Sequence, residues 1–131
     1  MSDAAGFERE LRRFTDKTVP EEVRRVRNAV ALEAVRGVVQ MSPVRHGRLR
    51  GNWNASGVGV MPADENITDK SGMATILRAM AVIEAVKHAF GVITISNALP
   101  YARHVNDGTS RTRAVHMVER TVARIQRIFR R

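Results

Sequence analysis

Apolar positions at helical spacing open the chain. Phe7, Leu11 and Phe14 recur at i, i+4 and i+7, with charged residues between them. Residues three and four apart lie on the same face of an α-helix, so this pattern is typical of an amphipathic helix. We therefore expect a short N-terminal helix within residues 1–18.

A second and longer apolar stripe follows Pro20. Its members are Val23, Val26, Val30, Ala34, Val38 and Met41. Proline fits the first turn of a helix, and the two glutamates that follow it are stabilised by the positive end of the helix dipole. A proline also disfavours helical backbone at the residue before it, so Ser42-Pro43 should end the element. The pattern predicts the principal helix of the fold over residues 20–41.

The period of the pattern changes from 3.6 to 2 after Gly47. Small or apolar residues then alternate with polar ones, namely Leu49, Gly51, Trp53 and Ala55. Such alternation is typical of a strand with one buried and one solvent-facing side. We expect Leu49 and Trp53 to pack this strand onto the principal helix.

The middle of the chain contains a polar loop, a helix and a second strand. Residues 61–71 are polar, whereas residues 72–90 return to helical spacing. Residues 92–96 are a β-branched run, which predicts a strand antiparallel to the first. A single helical turn over residues 100–105, closed by Gly108, should follow. The chain is therefore predicted to be an α+β protein in which a long N-terminal helix and a C-terminal helix pack on a small antiparallel sheet.

The last segment, residues 111–131, combines an apolar stripe with a row of arginines. The stripe consists of Val115, Val118, Val122, Ile125 and Phe129, and the opposite side of a helical wheel carries Arg113, Arg120, Arg124, Arg127 and Arg131. With Thr112 as N-cap, the pattern predicts a basic helix whose apolar face packs and whose arginine face is exposed. That arginine face is either solvated or part of an interface, since a row of like charges costs stability.

Composition and length are those of a folded domain. The chain has 131 residues, of which 44% are apolar and 27% charged, and it contains no cysteine. Disulfides and thiolate metal sites are thereby excluded. No segment has the ~18 apolar residues of a membrane span, and the N-terminus lacks the apolar run of a secretory signal peptide. We expect residues 1–131 to form one domain without a membrane segment.

The net charge of +9 is concentrated at the C-terminal end. Residues 111–131 carry seven arginines and one glutamate, and so contribute +6 of that charge. Basic residues are mostly arginine throughout the chain, which is typical of bidentate binding to phosphate or carboxylate. A GC-rich coding sequence produces the same bias, so the preference for arginine leaves both causes open.

Motifs of enzymes and metal sites are absent from the sequence. The four histidines lack the close spacing of a metal site, and the acidic residues 64–69 lack the glycine and the glutamate that a calcium loop requires. No phosphate-binding loop, dinucleotide fingerprint or nucleophile elbow occurs. We expect no catalytic activity, no cofactor and no bound metal, which leaves binding as the function.

Two segments are instead rich in residues that fix the direction of the backbone. Their defining positions are Pro43, Gly47, Leu49 and Trp53 in the first, and Asn97, Pro100, Tyr101 and Gly108 in the second. Together they resemble the signature of the head–tail connector family of long-tailed bacteriophages, also called neck or tail-completion proteins. In that family a helix ends at Ser-Pro-Val, a Gly-x-Leu-x-x-x-Trp strand follows, and Asn-x-x-Pro-Tyr-Ala leads into Gly-Thr-Ser.

The resemblance implies a structural protein of the virion. Such a protein assembles with itself as a ring, with six copies expected, between the portal side of the capsid and the tail. Its neighbours would be head-completion and tail-terminator proteins, and the double-stranded genome would pass through without being specifically bound. Trp53 and Tyr101 would be core residues, and Gly47 and Gly108 would set loop direction. The candidate interface residues are Thr109, Ser110, Arg111, Arg113, Arg120, Arg124, Arg127 and Arg131.

Two other functions fit the same residues. The arginines of the last segment are typical of a small basic protein that binds nucleic acid, with affinity that falls steeply with salt. No helix-turn-helix or zinc-finger signature occurs, so such binding would be without sequence preference. A tail assembly factor that is absent from the finished particle is the second alternative.

Overall fold

A computed structural model describes residues 4–130 of the chain. Its helices are α1 (Ala4–Arg13), α2 (Val19–Met41), α3 (Arg48–Gly51), α4 (Met73–Ala85), α5 (Ala102–Asp107) and α6 (Met117–Phe129). Strands β1 (Trp53–Ser56) and β2 (Thr94–Asn97) form an antiparallel sheet. These elements confirm the predicted α+β class, with a long N-terminal helix, a C-terminal helix and a small sheet.

The N-terminal helix is longer than predicted, because it does not restart at Pro20. A π-helical segment, Phe14–Thr18, joins α1 to α2, and Thr18 has helical dihedral angles of −67° and −47°. The Val19 N–H donates to the carbonyl of Phe14, five residues earlier. A proline in a regular helix lacks its own N–H and clashes with the carbonyl four residues before it, and the wider π turn next to Pro20 accommodates both effects. Residues 4–41 therefore form one uninterrupted helix.

The core lies where the second half of α2 meets α4, β1 and α6. It contains Ala31, Val35, Val38, Val39, Trp53, Ala55, Ile76, Ala79, Ile83 and Met117. Only Val38 of the predicted α2 stripe is fully buried, and Val26 is 50% exposed. Valine and alanine occupy two adjacent faces of α2, so periodicity alone does not decide which of them is covered. The packing of α4 and β1 selects the face of Ala31, Val35 and Val39.

The sheet is antiparallel as predicted, but its first strand begins later. Trp53 pairs with Asn97, and Ser56 pairs with Thr94. The expected strand residue Leu49 lies instead in the short helix α3, where the Gly51 N–H donates to the Gly47 carbonyl at 2.9 Å. Leu49 is nevertheless buried, because a helical turn directs it into the core as a strand would have done.

Helix α4 ends at Ala85, well before the predicted end at Phe90. The guanidinium group of Arg27 on α2 donates to the carbonyls of Val86 at 2.7 Å and Gly91 at 3.3 Å. Both carbonyls lie in the non-helical segment that follows Ala85. Arg27 thus stabilises an irregular connection between α4 and β2.

Candidate interaction site

The C-terminal end of α2 is fixed by a buried serine. Ser42 is 1% exposed, and its hydroxyl donates to the Val38 carbonyl at 2.6 Å. The indole N–H of Trp53 donates to the same hydroxyl oxygen at 2.7 Å, and Met117 Sδ lies 3.0 Å from it. Trp53 is 5% exposed, in agreement with its predicted place in the core. Ser42 therefore ties α2 to β1 and α6, directly before Pro43 turns the chain away.

Gly47 makes the turn that follows. Its φ is 78°, a left-handed conformation in which a side chain is strained. Its carbonyl accepts the N–H of Asp69 at 2.8 Å, so the polar loop runs against this turn. A Cβ at this position would lie 2.6 Å from the Lys70 nitrogen. Both the backbone angle and the close approach require glycine, as expected for a residue that sets loop direction.

The second segment packs directly on the first. The Asn97 amide donates to the Leu49 carbonyl at 2.8 Å, and the Leu99 N–H donates to the Asn97 amide oxygen at 3.2 Å. Leu99 and Ala102 are 3% and 6% exposed and are the core residues of this segment. Tyr101 is 38% exposed, so the expectation that it is a core residue is wrong. The chain turns at Pro100, and this turn leaves the Tyr101 ring at the surface.

The two segments together line one groove of about 540 Å³. Val44, Leu49 and Tyr101 provide apolar surface, while Arg45, His46 and Arg48 contribute basic side chains. All three basic residues are exposed. We call this site the motif groove. Sequence reasoning identified both segments but did not predict that they form a single concave site.

The turn at Gly108 begins the connection to the last helix. Gly108 has a φ of 81°, and a Cβ there would lie 2.8 Å from the Ala114 nitrogen. Beyond it, Thr109 Oγ1 accepts the N–H groups of Arg111 at 3.2 Å and Thr112 at 3.0 Å. The candidate interface residues Thr109, Ser110 and Arg111 are all exposed on this loop.

Helix α6 begins at Met117, later than predicted, so the expected N-cap Thr112 lies in the preceding loop. His116 precedes the helix with a φ of 55°, and the buried side chain of Asn106 accepts the Val118 N–H at 3.0 Å. Asn106 also donates to the Glu119 carboxylate, and hydrogen bonds from the helix backbone and Asn106 hold the pKa of Glu119 below its usual value. Asn106 therefore supplies the cap that the sequence pattern assigned to Thr112.

The face of α6 that packs includes only part of the predicted apolar stripe. Met117 and Thr121 are buried against α2, whereas Val118, Val122 and Phe129 are 43%, 47% and 40% exposed. A Cβ on Gly37 of α2 would lie 2.5 Å from Thr121 Cγ2, so the two helices are in close contact at this point. The fit of threonine on glycine sets the rotation of α6 and leaves these three side chains at the surface, while Val115 and Ile125 of the predicted stripe are half-buried.

The rotation also divides the arginine row. Arg120 and Arg127 are exposed, but Arg124 is half-buried and pairs with Glu33 of α2 at 3.2 Å. Arg113 lies in the exposed loop before α6, and Arg131 lies outside the described residues. The predicted continuous face of guanidinium groups is therefore not formed, and Arg124 serves to hold α6 on α2.

Several other arginines stabilise the scaffold of the site. Arg50 donates to the carbonyls of Gln40 at 3.1 Å, Ser42 at 2.9 Å and Lys70 at 2.9 Å, at the negative end of the α2 dipole. Arg78 donates to the carbonyls of Gly51 and Trp53, as Arg27 does to those after α4. A planar guanidinium can bind two or three carbonyls at once, which lysine cannot do equally well. This role accounts for part of the arginine content, and no spacing in the sequence predicts it.

Comparisons with protein-family models, with curated proteins and with solved structures find no match to this chain. Within residues 4–130, no group of three or more histidine or acidic side chains is placed to hold a metal ion. No helix in the same part of the chain is long and apolar enough to cross a membrane. Function therefore has to be inferred from the surfaces just described.

Proposed function

We propose that this protein is a structural component of a bacteriophage virion that forms a ring at the head–tail junction. The two sequence segments that resemble the connector family are rich in residues that fix turns. They meet at the motif groove, where hydrogen bonds hold one segment on the other. This arrangement suits a protein whose task is to hold contact surfaces at fixed positions. The ring would join the portal side of the capsid to the tail and let the genome pass.

The observation that carries this proposal is the amount of apolar side chain left at the surface of helices. Phe7, Leu11 and Phe14 are 65%, 51% and 53% exposed on the N-terminal extension. The stripe of Val118, Val122 and Phe129 is exposed on α6. Contiguous apolar surface on a soluble protein is characteristic of contact sites with other proteins. Two such faces at different places suit a subunit that contacts neighbours on more than one side.

The nucleic-acid alternative loses support from the pairing of Arg124. Its guanidinium is bound to Glu33, so the row offers fewer free cations to a phosphate backbone than the sequence suggested. Changing Arg124 to glutamate would also set it against Glu33 and disturb the fold. Arg120 and Arg127 are exposed and can be changed without this effect.

Two measurements on the purified protein test the proposal against this alternative. Electron microscopy of the concentrated protein should show closed rings with a central opening. Duplex DNA should bind weakly, and the Arg120→Glu/Arg127→Glu variant should bind it no more weakly than the unchanged protein does. Isolated monomers in the micrographs, together with tight DNA binding that falls with salt by a log–log slope of about −0.9 per phosphate contact, would favour the nucleic-acid binder.

A further inference from the structure

We propose that the N-terminal extension of one copy docks in the motif groove of the next copy. The extension, residues 4–18, is called the N-terminal arm below. This inference rests on the proposed ring and names the contact that would build it.

The N-terminal arm has no core of its own. None of the residues of α1 or of the π-helical segment is buried. Phe7, Leu11 and Phe14 lie on one face, and each is more than half exposed. Large apolar side chains on one face of a helix are stabilised when that face is buried against another surface. The arm therefore needs a partner surface that covers this face.

The residues that border the apolar face of the arm complement those of the motif groove. On a helical wheel, Glu8 and Glu10 border the apolar face of the arm on either side, and Arg9, Arg12 and Arg13 lie behind it. Lys17 follows one turn later, in the π-helical segment. The groove offers apolar surface from Val44, Leu49 and Tyr101 beside three basic side chains. An amphipathic helix that lays its apolar face into a groove is a common mode of recognition. The α6 surface is the competing site. Glu119 lies at one border of its apolar stripe, but a groove beside it is lined by Arg120, Arg127 and Arg130, so the Val122→Glu variant below tests it.

The geometry of α2 requires that the arm and the groove come from different copies. The arm precedes α2, whereas the groove begins at Pro43, directly after α2 ends. Helix α2 has 23 residues, which at about 1.5 Å per residue separate the two sites by about 35 Å. The arm continues α2 without a break, so it cannot fold back onto its own groove.

A contact between two different surfaces has a definite consequence for assembly. Each copy would offer one arm and one groove, so copies join head to tail. Head-to-tail contacts produce a closed ring when the rotations between successive copies add up to a full turn in one plane, and an open filament when they do not. The inferred contact is thus of the kind that a ring requires.

Charge reversal in both surfaces tests the contact. The arm variant is Glu8→Lys/Glu10→Lys, and the groove variant is Arg45→Glu/Arg48→Glu. Each variant alone should self-associate about tenfold or more weakly than the unchanged protein, because like charges meet in every contact. An equimolar mixture should recover association, since the changed arm fits the changed groove and the unchanged arm fits the unchanged groove. Sedimentation velocity over a concentration series measures all three.

Controls separate this contact from other surfaces. Arg9→Glu/Arg13→Glu alters the far side of the arm and should leave association unchanged, while circular dichroism checks that every variant is folded. Normal self-association of the arm and groove variants, or failure of their mixture to recover, would overturn the inference. Loss of association in Val122→Glu, with the arm variant unaffected, would assign the contact to α6 and leave the ring proposal standing. An unchanged protein that never associates would contradict the ring itself.

Discussion

Replacing Trp53 by alanine tests the junction on which the motif groove is built. Trp53 is 5% exposed and donates its indole N–H to Ser42 Oγ at 2.7 Å. Truncating a buried tryptophan costs about 3 to 5 kcal/mol of unfolding free energy. Ser42 keeps its hydrogen bond to the Val38 carbonyl, so no orphaned hydroxyl adds to that cost. Trp53→Phe retains most of the apolar volume and should lose about 1 to 2 kcal/mol, mainly the hydrogen bond.

Denaturant titration followed by circular dichroism measures these losses. The exposed aromatic Phe90 provides a matched control, because it is 64% exposed and its change to alanine should alter stability by less than about 0.5 kcal/mol. From most to least stable, the variants should therefore rank Phe90→Ala, Trp53→Phe and Trp53→Ala. A loss below about 1 kcal/mol for Trp53→Ala would refute the assignment of Trp53 to the core.

Further predictions concern backbone contacts and one carboxylate. Gly37→Ala should lower the free energy of unfolding by about 1 to 2 kcal/mol in denaturant titration, because overpacking against Thr121 outweighs the gain in helix propensity. The double variant Gly37→Ala/Thr121→Ala should recover most of that loss. Gly47→Ala should destabilise more than Gly59→Ala, because both have positive φ but a Cβ at Gly59 meets no atom within 4 Å; equal losses would contradict the close approach at Gly47. Desolvation raises the pKa of Asp69, but hydrogen bonds from Thr75, Gly72 and Ser71 outweigh it and set the pKa below its usual value. The free energy of unfolding should therefore fall as pH drops below about 4, where the Asp69 carboxylate becomes protonated. In denaturant titrations at several pH values, the Asp69→Asn variant should lose less stability on acidification than the unchanged protein.

Hydrophobic periodicity predicted the elements of the fold well where one face of an element is apolar. The α2 end at Ser42-Pro43 and the antiparallel strand pair follow from local rules for proline and β-branched residues. The strand predicted from Leu49 begins at Trp53 instead, because a left-handed Gly47 starts a helical turn. Alternation in the sequence correctly indicated that Leu49 and Trp53 are buried, but it did not indicate that the backbone at Leu49 is helical.

The orientation of the last helix could not be predicted from its sequence. Val118 and Val122 have the spacing of a core stripe, yet the covered face contains Thr121 and Arg124. The reason lies on another element, since Gly37 accepts threonine closely and Glu33 binds the arginine. A pattern within one helix contains no information about such a partner. The same limit applies to the motif groove, whose two walls are distant in the sequence.

The most direct test of the account is the mass of the purified protein in solution over a range of concentrations. A single chain has a mass of 14.6 kDa. If the protein builds a ring through surfaces of its own, light scattering coupled to chromatography should show a transition with concentration from this mass to one discrete multiple, for which six copies are expected. A mass of 14.6 kDa at every concentration, or a series of species without an end point, would contradict the proposed ring.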